Sequence, residues 1–147
     1  MSSLSAPFAV RDRLHPRCIA CSPARADGFR LEFAMTSDGG VSAELDCAHD
    51  LEGYPGLVHG GVISLIFDSA MANCMFARGY RAVTAELTVR YTNPVSLGVP
   101  ARVSAQVTKD MHPLYVLEAQ LFQDGVQKAR AAGKFMVQAE DPDLVAW

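Results

Sequence analysis

Residues 53–77 read GYPGLVHGGVISLIFDSAMANCMFA. From Gly60 to Ala77 the one charged side chain is Asp68. Val62, Ile63, Leu65, Ile66, Phe67, Met71, Met75 and Phe76 cover most of the circumference of a helix. The spacing therefore predicts a helix buried on nearly all sides. An isolated carboxylate there needs a partner, a ligand or a proton, because an unpaired buried charge is very costly. Gly60 and Gly61 stand where the helix begins, among the first-turn N–H groups that carry the positive end of its dipole. An amide cluster and an isolated acid are two halves of a possible acyl-transfer site.

One chain cannot bring the two halves together. Asp68 lies eight residues beyond Gly60, which is ~12 Å along a helix. A single carbonyl carbon cannot sit ~3 Å from both. If both act on it, one comes from a second copy, and a two-fold dimer with two equivalent sites follows.

The chain has 147 residues, enough for one domain with a real core. Half of it is hydrophobic and one-fifth charged, with net charge −3 and no basic tract, which disfavours nucleic acid as the main partner. The N-terminus lacks an apolar core of signal-peptide type, so a reduced, cytoplasmic setting is expected. The apolar run approaches a membrane span in length, but Ser64, Asp68 and Asn73 interrupt it and strands follow. A buried helix is the expectation, with no membrane partner.

Residues 1–27 read as an N-terminal arm broken by Pro16 and Pro23, with a short helix possible over Phe8–Leu14. Residues 28–138 form the domain, and 139–147 a tail. Phe29–Met35 and Val41–Cys47 alternate around the turn residues of Ser37–Gly40, which predicts a hairpin. A Gly/Pro loop leads into the helix, which Gly79 ends as a C-cap. Val83–Tyr91, Ala101–Thr108, Tyr115–Phe122 and Val126–Val137 read as four more strands, with Asp124–Gly125 as a tight hairpin turn. Two strands, one helix and four strands predict an α+β fold: an antiparallel sheet of five to six strands curled around one central helix.

This layout, with GLVHGG at Gly56–Gly61, Asp68 nine residues after His59, and TVRYTNPVSLG following, resembles the hotdog-fold acyl-CoA thioesterases of the phenylacetic-acid type. The resemblance spans about residues 18–137 and includes the upstream CIAC and GFRLEF. It implies hydrolysis of an acyl- or aryl-CoA thioester, without a cofactor, by a dimer or dimer of dimers. The Gly60 amide would polarise the carbonyl, and Asp68 of the neighbouring subunit would be base or nucleophile. Thr84 matches a Ser/Thr that in some members helps hold the attacking water. His59, Gly61, Phe67, Met71 and Arg90 are the expected substrate contacts. Gly53 stands where many members have Asn or Gln, and Ser69 where Glu often follows the Asp.

Each residue also has a plainer reading. Asp68 could pair structurally with Arg90, Gly60–Gly61 could be only a tight turn, His59 could only cap the loop, and Thr84 could be an ordinary strand residue. Arg78, Arg81, Arg90 and Arg102 could meet CoA phosphates. His15, Cys18 and Cys21 form H-x2-C-x2-C, with Cys47 and His49 as possible further ligands. A structural zinc needs four ligands, so one C-x2-C favours a packed turn with free thiols and no metal. Two further functions compete with hydrolysis. One is a non-catalytic acyl-CoA-binding or regulatory hotdog protein. The other is a hydroxyacyl dehydratase, which the Gly53 position disfavours because the expected catalytic His is missing there.

Overall fold

The structure is a computed structural model, and it describes residues 8–139. Nearly all of the expected tail and the first seven residues of the arm lie outside that range. A short helix α1 (Ala9–Leu14) precedes strands β1 (Ala34–Met35) and β2 (Val41–Leu45), then helix α2 (Gly60–Ala77) and strands β3 (Ala82–Tyr91), β4 (Ala101–Met111), β5 (Leu114–Gln123) and β6 (Val126–Val137). The six strands form one antiparallel sheet in the order β1-β2-β4-β5-β6-β3.

The sheet curls because its alternating apolar face covers α2. Val41, Ala43 and Leu45 of β2, Val103 and Ala105 of β4, Leu117, Ala119 and Leu121 of β5, and Ala129, Ala131 and Phe135 of β6 are all buried. They meet Ile63, Ile66, Phe67, Ala70, Met71, Cys74 and Met75 of the helix in one core. The α2 run is apolar and long enough to cross a membrane by composition, yet 56% of it is buried inside the fold. The helix is not enclosed all round, as its sequence suggests. Gly61 is exposed, and Ser64, Leu65 and Asp68 are half-buried. At three- and four-residue spacing these four make one open stripe. That stripe runs beside β3, an edge strand.

The ends of α2 are sharply defined. Gly79, at φ +84°, takes the left-handed position after the helix. Its N–H donates to the Phe76 carbonyl and that of Tyr80 to Met75, closing a Schellman motif. At the other end the His59 side chain caps the helix, accepting from the Gly61 N–H at 2.9 Å. The loop before it is pinned to the segment after β3, through Val58 to Val95 and Leu97 to Gly56. Buried Gln123 locks that second segment by bonding Ser96 at both N–H and carbonyl, and the Val99 carbonyl.

Two expectations shift. The first strand shrinks from Phe29–Met35 to Ala34–Met35. Arg30 sits at φ +51° with its Nε donating to the Arg25 carbonyl, and Phe29 and Leu31 donate to Ile19 and Ala20 instead of to β2. The N-terminal segment thereby joins the core, burying Phe8, Ala20, Cys21 and Leu31. Second, β3 does not alternate cleanly. A bulge between Thr84 and Glu86 moves Thr84 onto the same face as Leu87. The Asp124–Gly125 turn has both residues at positive φ, the geometry a two-residue hairpin needs.

Candidate active site

Two points on α2 are the candidates for chemistry, and β3 holds both. At the first, the Gly60 N–H has no hydrogen-bond partner among the described residues. The Gly61 N–H is already taken by His59, so the helix presents one free amide and not two. The Tyr91 hydroxyl donates to the Gly60 carbonyl at 2.9 Å and lies 2.6 Å from Ser64 Oγ. Since the phenol has one hydrogen, Ser64 is the donor in that second bond. A methyl on Gly60 would rest in ordinary contact with the Tyr91 ring, 3.7 Å away.

At the second point, Asp68 Oδ1 accepts from Thr84 Oγ1 at 2.5 Å. Among the described residues no cation pairs with Asp68. Arg90, the alternative structural partner, lies on the outer face of the sheet beside Glu118, Gln120 and Arg130. A carboxylate held by one hydroxyl keeps acceptor positions open for a water or a reacting carbon.

The structure gathers the expected residues into two groups and leaves three apart. His59, Gly60 and Gly61 meet at the helix start; Asp68 and Thr84 meet one helical segment later. Phe67 and Met71 are fully enclosed in the core, and Arg90 faces away. Gly53 packs against His59: a Cβ there would fall 3.0 Å from its Cα. Glu52 accepts from the Gly56 N–H at 2.8 Å and so organises the loop. Sequence reasoning gave Tyr91 as the end of a strand and missed its hydroxyl and its bond to Ser64. The available sign was the hydroxyl of Ser64, one turn in from the helix start, within a mostly apolar run.

One long helix wrapped by a six-stranded antiparallel sheet is the hotdog fold. The chain belongs to the Thioesterase superfamily, whose family model matches residues 55–128, half of the sequence. A curated relative is the rat (Rattus norvegicus) acyl-coenzyme A thioesterase THEM4, 39% identical over 86 residues. The match covers 56% of this chain and spans 37% of the rat protein. Among solved structures, the thioesterase superfamily protein RHA08564 superposes with a TM-score of 0.76 at 24% identity, covering 80% of this chain and 62% of that one. The Escherichia coli PaaI protein from the phenylacetic acid degradation operon gives 0.70 at 18% identity, covering 76% and 81%. At those identities the two structures establish the shared fold.

Proposed function

We propose that the chain hydrolyses an acyl- or aryl-CoA thioester to the free acid and CoA. The carbonyl oxygen gains charge as a nucleophile adds, and the free Gly60 N–H at the start of α2 is suited to hold it. Asp68 either draws a proton from a water that adds to the carbonyl carbon, or attacks that carbon itself to form an acyl-aspartyl anhydride that water then cleaves. On either route water supplies the oxygen of the free acid and the proton with which CoA leaves as the thiol. The observation that carries this reading is the Asp68 carboxylate, which lies on the open stripe with one hydroxyl as its partner. Superfamily membership and the rat relative's name support the substrate class.

The acid and the amide come from different copies. β3 leaves one edge unpaired over ten residues, with Val83 and Tyr91 about half exposed. Such an edge is a template for another strand. Thr84 marks the acid end of β3 and Tyr91 the amide end. Antiparallel pairing of two β3 strands across a two-fold axis centred on Thr88, with the bulge between Thr84 and Glu86 taking up one residue, puts Thr84 of one copy opposite Tyr91 at the amide end of the other, ~5 Å apart. Each copy's Asp68 then faces the other's Gly60. Two such dimers can pack further into a tetramer.

A panel of CoA thioesters assayed with wild type and Asp68→Asn tests the proposal. Turnover by the wild type and its loss in the variant support hydrolysis. Tight CoA-ester binding with the ester recovered intact would instead favour a binding module.

A further inference from the structure

A cluster away from α2's open stripe serves no role in thioester chemistry. His15, Cys18 and Cys21 bring an imidazole nitrogen and two sulfurs within 4.8 Å of one another. We propose that these three side chains bind a zinc-like divalent cation that fastens the N-terminal segment to α2. The proposal is independent of the hydrolase reading.

The sequence alone did not favour it, because C-x2-C stood without a second pair. Cys47 indeed lies elsewhere, against Gln123. The fold adds what the spacing could not. The turn over residues 18–22 closes with the Ser22 N–H on the Cys18 carbonyl, and the Ala20 N–H donates to Cys18 Sγ at 3.4 Å. This prepares one sulfur as an acceptor before any cation arrives. Cys21 is buried and Cys18 half-buried, whereas His15 is exposed and packs edge-on against Phe76 of α2, centroids 4.8 Å apart.

Charge and polarity fit. Two thiolates and a neutral imidazole balance a divalent cation, and the thiol protons go to solvent on binding. Soft sulfur with imidazole selects zinc over magnesium or calcium. Three protein ligands leave a fourth position for water. Beside Cys21, Asn73 of α2 is fully buried and its Oδ1 has no partner. An acceptor left unpaired there is costly, and a cation-bound water is a donor of the kind it lacks.

The test uses the reduced full chain, stripped with chelator and titrated with Co(II), then Zn(II). One cobalt per chain, with thiolate charge-transfer and tetrahedral visible bands that zinc abolishes, is expected. Cys18→Ser and His15→Ala should weaken binding about tenfold or more, and Cys47→Ser should not. Wild-type binding no tighter than that of Cys18→Ser would overturn the proposal. Should a variant fail to fold, alkylation of wild-type Cys18 decides: zinc should slow it, and an unchanged rate refutes the site. Cys18–Cys21 disulfide formation as fast with zinc as without it refutes the site as well.

Discussion

Thr84 and Tyr91, seven residues apart on β3, tie that strand to opposite ends of one reactive surface. Thr84 Oγ1 donates to the Asp68 carboxylate at 2.5 Å, and the Tyr91 hydroxyl donates to the Gly60 carbonyl at 2.9 Å. The two anchors are ~23 Å apart along an extended strand. One edge strand thus fixes the acid and the amide within the chain, and in the proposed dimer its pairing would set which acid meets which amide.

Asp68→Asn keeps the shape and one acceptor oxygen while removing the charge. Loss of a general base or nucleophile should lower kcat about 10²- to 10⁴-fold. Steady-state assays with size-exclusion chromatography check this. A normal elution volume with wild-type kcat would remove Asp68 from the mechanism.

Thr84→Val removes the donor that orients Asp68, while Thr84→Ser restores it. A hydrogen bond to a charged group contributes ~1.5–3 kcal/mol. The valine variant should therefore lose about tenfold to a hundredfold in kcat, and the serine variant should recover most of it. Equal rates for both variants would show that the hydroxyl does not act through the carboxylate.

That role for Thr84 was only half legible in the sequence. Period-two alternation puts Thr84 opposite Leu87, so pattern alone turns it outward; the bulge reverses it. The helix, the hairpin at Asp124–Gly125 and the core faces of β2, β4, β5 and β6 were readable, because burial on one face enforces strict periodicity. Phe29–Phe33 was misread because Arg30 takes a left-handed conformation that its residue type does not announce. Asp68 was identifiable as the lone charge in an apolar run. Its half exposure was not, since the open stripe depends on where the sheet ends.

Tyr91→Phe deletes the hydroxyl that accepts from Ser64 and donates to the Gly60 carbonyl. Stability should fall by about 1 kcal/mol, and kcat should fall because the first turn of α2 loses its tether. Urea unfolding and kinetics on the same preparation separate the two effects. An unaltered kcat with lowered stability would make Tyr91 purely structural.

Gly133 of β6 faces the helix across from Leu87. A Cβ there would sit 2.5 Å from Met71 Sδ and 3.1 Å from the Phe135 ring. Both side chains are fully buried, so neither has free space to move into. Gly133→Ala should destabilise the fold by about 1–3 kcal/mol through overpacking. The denaturation midpoint measures it, and no change would mean that the core beneath β6 is looser than its burial indicates.

Gly60→Pro isolates the free amide. Proline suits the first position of a helix, and His59 already has the extended backbone (φ −60°, ψ 135°) that a residue before proline prefers. The substitution removes one N–H that has no partner among the described residues, and kcat should fall about 10²- to 10³-fold, as for loss of an oxyanion donor. Mixing this variant with Asp68→Asn then tests where the site lies. In a heterodimer, one site inherits both defects and the other inherits an intact acid and an intact amide. After unfolding and co-refolding at equal amounts, half the dimers are mixed and each has one working site, so about a quarter of wild-type activity should return. Two dead variants that stay dead together would mean that acid and amide never meet across the β3 edge.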